Sequence, residues 1–230
     1  MQRLMHWLGM EPNPVSLKEK LVSTLGAFIG IALTAVISLH YFPLHDAMLM
    51  VGSMGASAVL LFAVPHGQLS QPWPAVAGQL LSAAVGISCA LLVPNPLLAA
   101  SLAVSLAILA MHLTRSMHPP GGATALIAVI GGPEIHALGY GYVLLPVALN
   151  AASILLVALL FNNLFGWRRY PASLSRPVTA AFTPPAEGIE LADLEYAIRE
   201  LDSTIDVTRE ELLQLYAAAS RHRGMPDQEG

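Results

Sequence analysis

The chain has 230 residues, 55% of them hydrophobic and 11% charged, with a formal net charge of −4 and a mean hydropathy of +0.60. Those values exclude an ordinary soluble domain and mark a membrane protein. The single cysteine, Cys89, excludes disulfides and cysteine metal sites, and the slight acidity, placed mostly after Glu187, points to no nucleic-acid partner.

Residues 1–20 read as a cytoplasmic N-terminal segment. From Leu21 to Leu164 the charged side chains are Asp46, Arg115 and Glu134 alone, which defines a transmembrane domain over 21–166. A spanning helix needs roughly 20 apolar residues, because the hydrocarbon core is about 30 Å thick and each residue rises about 1.5 Å. The first such segment, Leu21 to Tyr41, follows Glu19 and Lys20 and carries no small-residue cleavage site, so it reads as a retained span rather than a signal peptide. Ala47 to Val64, Pro74 to Val93 and Tyr140 to Leu164 are also long enough. Leu97 to His112 is shorter and needs flanking residues or a tilt, and Ala123 to Ile130 is long enough for only about half a crossing.

After the last span, "GWRRYPASLSRP" combines an aromatic and basic anchor at Trp167 to Arg169 with a linker over 167–188. Leu191, Leu194, Ile198 and Leu201 then recur at helical spacing. Thr208 with Glu211 makes a capping-box pattern before Leu212, Leu215, Tyr216 and Ala219. This predicts a cytoplasmic amphipathic hairpin over 189–223, assisting a homo-oligomer of two or three copies, and a disordered tail over 224–230.

Lys and Arg flank both ends of the hydrophobic block, so both termini are expected inside and the number of crossings even, in a bacterial inner membrane. Six crossings follow if the short segment and its lead-in count as the fifth. "MGASAVLLFAVP" from Met54 aligns with "GGATALIAVIGG" from Gly121 at an offset of 67, pairing Ser57 with Thr124. The fold class is therefore all-α: a polytopic membrane bundle of about six segments in two inverted three-segment repeats with broken or half helices, as in many transporters.

The chemistry concentrates at "RSMHPPGGATAL". Pro119 and Pro120 remove two backbone donors, His118 is pushed toward extended geometry, and Gly121 and Gly122 permit close backbone approach. A helix starting near Gly122 or Ala123 would turn its N–H groups and positive dipole end into the membrane, where an anion binds. The repeat predicts a matching break at Gly52, Ser53 and Gly55. Backbone N–H groups near Gly55, Ala56, Gly121, Gly122 and Ala123 would then bind the anion, Ser53, Ser57 and Thr124 would orient it, and Arg115 and His118 would set the field. His118, with an ordinary pKa of about 6.5, is the candidate for proton coupling. Two blander readings stand beside these: close helix packing for the small residues, and a snorkelling surface anchor for Arg115. Gln79 and Asn150 fit interhelical hydrogen bonds or a lined pathway equally well. The other histidines fall near loops and span ends, with no metal-ligand spacing and no cofactor fingerprint.

"MHPPGGATAL" together with "GSMGASAVLLFAVPHGQLSQPW" resembles the HPP family of integral membrane proteins, named for the tripeptide present as His118, Pro119 and Pro120, over about residues 15 to 170. The resemblance implies nitrite transport, to which members from cyanobacteria and chloroplasts have been linked. The sequence departs from the expected polar or basic pattern at Trp73 and Pro74. The tail resembles a linker that precedes paired CBS domains in longer relatives, but no CBS sequence follows, so regulation by nucleotide is not implied. The expectation is a non-enzymatic carrier of a small monovalent anion; the alternative is a membrane scaffold or sensor acting through the hairpin.

Overall fold

A computed structural model describes residues 15–174, and the hairpin, the tail and most of the linker expected from sequence lie outside them. The described residues from Leu17 onward form one compact unit. The described residues are helical: α1 (Leu17–Tyr41), α2 (Leu44–Ala58, prolonged by a π turn over Val59–Ala63), α3 (Pro72–Leu92), α4 (Pro96–Leu113), α5 (Pro120–Ile130), a short α6 (Pro133–Leu138), and α7 (Leu149–Asn162, entered through a π turn over Val143–Ala148). Five helical stretches are long and apolar enough to cross a membrane, Leu17–Tyr41, Leu44–Ala63, Pro72–Leu92, Pro96–Leu113 and Val143–Asn162, while α5 is not.

Prolines start most of these helices. Pro72, Pro96, Pro120 and Pro133 stand in first turns, where a missing N–H leaves no intrahelical bond unmade. Asn95 caps α4 by accepting from the Leu98 N–H at 3.0 Å. Small residues then decide which faces meet. Gly26, Gly30, Thr34 and Ser38 form a four-residue-spaced buried stripe on α1. A Cβ on Gly26 would lie 2.6 Å from the Phe62 ring and one on Gly30 2.8 Å from it. The opposite side of α1, with Leu21, Leu25, Phe28 and Val36, is exposed as a lipid face would be.

One end of the bundle gathers the basic residues. Glu19 near the start of α1 bonds Trp167 and Arg168 beyond α7, Phe62 near the end of α2 accepts from Arg168, and Trp73 at the start of α3 donates to the Thr114 carbonyl beyond α4. At the far end, a Cβ on Gly132 after α5 would lie 2.9 Å from the Asp46 carboxylate near the start of α2. Helices α2 and α5 therefore run in opposite directions. Arg168 is not a surface anchor, as the aromatic and basic run suggested; it is 1% exposed, and its ion pair with Glu19 extends α1 one turn below the predicted start at Leu21.

The expected break after Gly52 and Ser53 does not form: α2 runs as unbroken α-helix from Leu44 to Ala58. Gly52, Ser53 and Gly55 all retain their amide donors and no proline lies between Pro43 and Pro65, so the hydrogen-bond ladder continues at the modest expense of two glycines. The break before α5 does form. α5 has 11 residues, roughly 16 Å of rise. It begins where the Pro120 carbonyl meets Ser53 Oγ at 3.3 Å, near the middle of the 20-residue stretch Leu44–Ala63. It ends at Gly131, beside the far end. Thus α5 crosses half of the bundle, and the irregular stretch Ser116 to His118 leads down to its start.

Candidate functional site

Groove geometry on α3 brings the break into the bundle. Gly78, Ser82 and Gly86 stand one turn apart on its buried face. A Cβ at Gly78 would meet the Ser116 carbonyl oxygen at 2.6 Å and His118 Cβ at 2.7 Å, and one at Gly86 would meet the Ala125 carbonyl at 2.6 Å. Backbone passes where side chains would otherwise stand, which is the small-residue packing weighed for the other glycines. Gly121 completes the contact, its own Cβ position lying 2.5 Å from Ser82 Oγ.

Around the start of α5 sit Ser53 and Ser57 of α2, Gln79 of α3, His118 of the break and Thr124 of α5, none more than 2% exposed. Their hydrogen bonds can be given directions. His118 Nδ1 lies 2.9 Å from the Leu69 carbonyl, which can only accept, so Nδ1 carries the proton. In the neutral ring Nε2 is then a lone pair, and Ser57 Oγ, 2.9 Å away, donates to it. The Ser57 oxygen accepts from Gln79 Nε2 at 3.0 Å. Gln79 Oε1 accepts from Thr124 Oγ1, whose oxygen is 2.5 Å from Ser53 Oγ. The Tyr142 hydroxyl donates to the Thr124 carbonyl at 3.2 Å. A buried polar group without a partner is destabilising by roughly 1–3 kcal/mol, and this closed circuit leaves none of the five side chains in that state.

Of the residues expected at the site, the structure brings together Ser53, Ser57, His118 and Thr124. The first amides of α5 are not open donors: Gly121 N–H bonds the His118 carbonyl at 2.8 Å and Gly122 N–H the Pro119 carbonyl at 3.0 Å, because Pro119 already has helical dihedrals and closes a turn. Gly122 and Ala123 are half-buried beside the network rather than in it, and nearest to the Gly122 Cβ position is Val104 of α4 at 3.9 Å. On α2, Gly52 and Ala56 are exposed and Gly55 half-buried, with nothing within 4 Å of a Cβ at either glycine. They face away from Ser53 and Ser57, so an intact α2 supplies hydroxyls and no backbone donors. Arg115 is exposed in the turn after α4 with φ of 54°, the position of a surface anchor. Gln79, left open between packing and pathway, is instead the centre of the network. Its only sequence signal is an amide within a span.

Outside the spans, the loop over 64–71 holds the network from the basic end. The Leu60 carbonyl, which also accepts from the Val64 N–H at 3.1 Å, and the Leu61 and Phe62 carbonyls accept respectively from Ser70 Oγ at 3.0 Å, Asn162 Nδ2 at 3.0 Å and an Arg168 terminal nitrogen at 2.5 Å. Tyr170 OH donates to the Ser70 carbonyl at 2.6 Å, adjacent to the Leu69 carbonyl that orients His118. Burial lowers the Arg168 guanidinium from its ordinary value while Glu19 draws it back up, and burial pushes the Tyr170 phenol above its usual range. A cavity of about 330 Å³ lined by Ile87, Leu91, Pro94, Val129 and His136 lies toward the far end, about 12 Å along α3 from Gln79. Among the described residues no group of three or more His, Cys, Asp or Glu side chains could hold a metal ion.

Long apolar helices, a helix that starts at mid-depth and a buried polar circuit around that start define a polytopic α-helical membrane protein with a half-crossing element. The profile described as "HPP, transmembrane region" matches residues 12–171, and the chain belongs to this HPP transmembrane family. It is similar to two proteins of Dictyostelium discoideum, each described as a transmembrane protein, at 43% identity over 171 residues and 42% over 175. Each match covers 72% of this chain but 55% and 60% of the relatives, so the chain spans little more than half their length. No solved structure matches it.

Proposed function

We propose that this protein carries a small monovalent inorganic anion, with nitrite the first to test, across the membrane through the site where α5 begins. The observation behind this reading is the set of five polar side chains, from three helices and a backbone break, buried at the depth where a spanning helix is interrupted. Polar groups at such depth are expensive and mark substrate pathways, and irregular backbone at such depth belongs beside a pathway or in protein contacts. In this reading the ligands are the hydroxyls of Ser53, Ser57 and Thr124 and the Gln79 amide, in place of the backbone amides expected near Gly55 and Ala56. Access from the basic end runs past Leu69 and His118, and from the far end through the cavity by His136. The resemblance to nitrite-linked family members supports the substrate class. The antiparallel α2 and α5, contributing Ser57 and Thr124 to one circuit, support inverted halves. Lys18, Lys20 and Arg169 at the basic end support cytoplasmic termini, and the membrane proposed is a bacterial plasma membrane.

The test is nitrite uptake into proteoliposomes of the purified protein. Protein-dependent uptake is expected, falling about tenfold or more for Ser57→Ala or Thr124→Val, since one buried hydrogen bond to a ligand is worth roughly 1–3 kcal/mol. Uptake no greater than that of protein-free vesicles would reject the reading.

A further inference from the structure

The circuit contains one group that can take up a proton, and its surroundings dictate what must accompany that proton. His118 Nδ1 is committed to the Leu69 carbonyl, so an added proton can enter only at Nε2, where Ser57 now donates. Once Nε2 bears hydrogen it has no lone pair, and Ser57 Oγ must become the acceptor. Its oxygen can do so, because only one of its two lone pairs is engaged, by Gln79 Nε2. The Ser57 proton is then displaced between two donors. The neighbouring side-chain acceptor, Gln79 Oε1, already accepts from Thr124 and, being neutral, could take the displaced proton on its second lone pair only without compensating the imidazolium. The backbone carbonyl one turn back on α2 could take the displaced proton, but it would leave the imidazolium uncompensated.

Charge is the deciding constraint. His118 is packed by Ser57 of α2, Gly78 of α3, Met111 of α4 and the Leu69 carbonyl, none of which ionises. The nearby titratable and charged side chains, His112 and Arg115, are exposed at the end of α4 and cannot neutralise a cation. Between Leu21 and Leu164 the carboxylates are Asp46 and Glu134, and both belong to the far end, where Gly132 meets Asp46. A buried cation with no countercharge is strongly disfavoured, so the countercharge has to arrive from outside the protein.

We propose that the anion crosses together with one proton, with His118 Nε2 as the proton site and Ser57 as the shared ligand that reverses its hydrogen bond to face the anion. This rests on the anion-transport reading and adds its coupling. The proton comes from solvent on the loading side, forms the Nε2–H bond, and leaves to solvent with the anion on the other side, so the imidazole returns to its starting tautomer. The loaded site carries one positive and one negative charge, and the translocation step moves no net charge.

Initial rates of nitrite uptake in proteoliposomes, taken above protein-free vesicles, test this with the unmodified chain. An inward proton gradient of one pH unit should raise the rate by up to about tenfold, and a membrane potential clamped at either sign should leave it unchanged. His118→Gln, which retains hydrogen-bonding capacity but does not titrate, should lose the response to the proton gradient. Nitrite uptake that follows the potential and ignores the proton gradient overturns the coupling while anion transport stands. Absence of protein-dependent uptake under every gradient overturns both.

Discussion

A methyl group at Gly78 would collide with the Ser116 carbonyl and His118 Cβ, fixed backbone and near-backbone atoms that cannot rotate away, whereas one at Gly55 would meet nothing within 4 Å. Gly78→Ala should therefore lower stability by roughly 1–3 kcal/mol and shift the histidine. Gly55→Ala should be neutral, or stabilising by roughly 0.5–1 kcal/mol through helix propensity, with uptake unchanged. Thermal unfolding in detergent with parallel uptake assays measures both. Loss of uptake in Gly55→Ala would restore a role for the α2 backbone that the continuous helix denies. The same arithmetic shows which site residues were legible. Ser53 and Ser57 are one turn apart and share a face with Met50 and Met54, buried with them. On an unbroken helix Gly52 and Ala56 point elsewhere, so assigning a break there brought the wrong side of α2 into the site. Thr124 and His118 were legible because prolines at 119 and 120 leave no regular helix through that point. Gln79 was not, because an amide in a span signals helix packing and pathway lining alike.

Between elements, the segment following α7 is fastened to the π turn that prolongs α2 through side chains that donate to its carbonyls. Arg168 is the principal fastener, bonded to Glu19, Phe62 and Asn162, with its Nε lacking a hydrogen-bond partner. Arg168→Ala strands the Glu19 carboxylate in a buried position, retaining Trp167 Nε1 at 2.8 Å, and should destabilise by about 3 kcal/mol, the lower end for breaking a buried pair. The double change Glu19→Gln with Arg168→Met should recover much of that loss, because an uncharged pair leaves no bare ion. Melting temperatures of the two variants decide it: an equal loss in both would mean that Arg168 acts through packing alone. Charge pairing also explains the difference in the first span. Lys18, Glu19 and Lys20 read as a boundary by composition, yet α1 begins at Leu17, since Glu19 finds Arg168 and Lys18 lies 3.6 Å from the centre of the Trp167 ring. Such partners lie some 150 residues away in the chain and no local pattern reveals them.

Across the whole molecule the offset of 67 residues sets Pro119 and Pro120 against Gly52 and Ser53, and that mismatch accounts for the difference between α2 and α5. Proline deletes amide donors and glycine does not, so α2 is a full span where α5 is a half-length helix reached by an irregular stretch. Four of the five long spans were legible from hydropathy because length and apolarity are themselves the physical requirement, and the fifth, Pro96–Leu113, gains its length from the flanking residues that the stretch Leu97 to His112 needed. The level at which α5 starts was not, because it depends on the groove of α3 receiving the break. This arrangement fixes which loops share a side. The loop with Gln68, joining α2 to α3, belongs to the basic end, and the first turn of α2, with His45, to the other; both residues are exposed. With Cys89→Ser as background, Gln68→Cys should react with a membrane-impermeant maleimide only in inverted vesicles, and His45→Cys only in intact spheroplasts, if the basic end is cytoplasmic. Reversed labelling would invert the orientation but preserve the fold. Labelling of both from one face would contradict the alternation of α1, α2 and α3, and with it the placement of the α5 start at mid-depth.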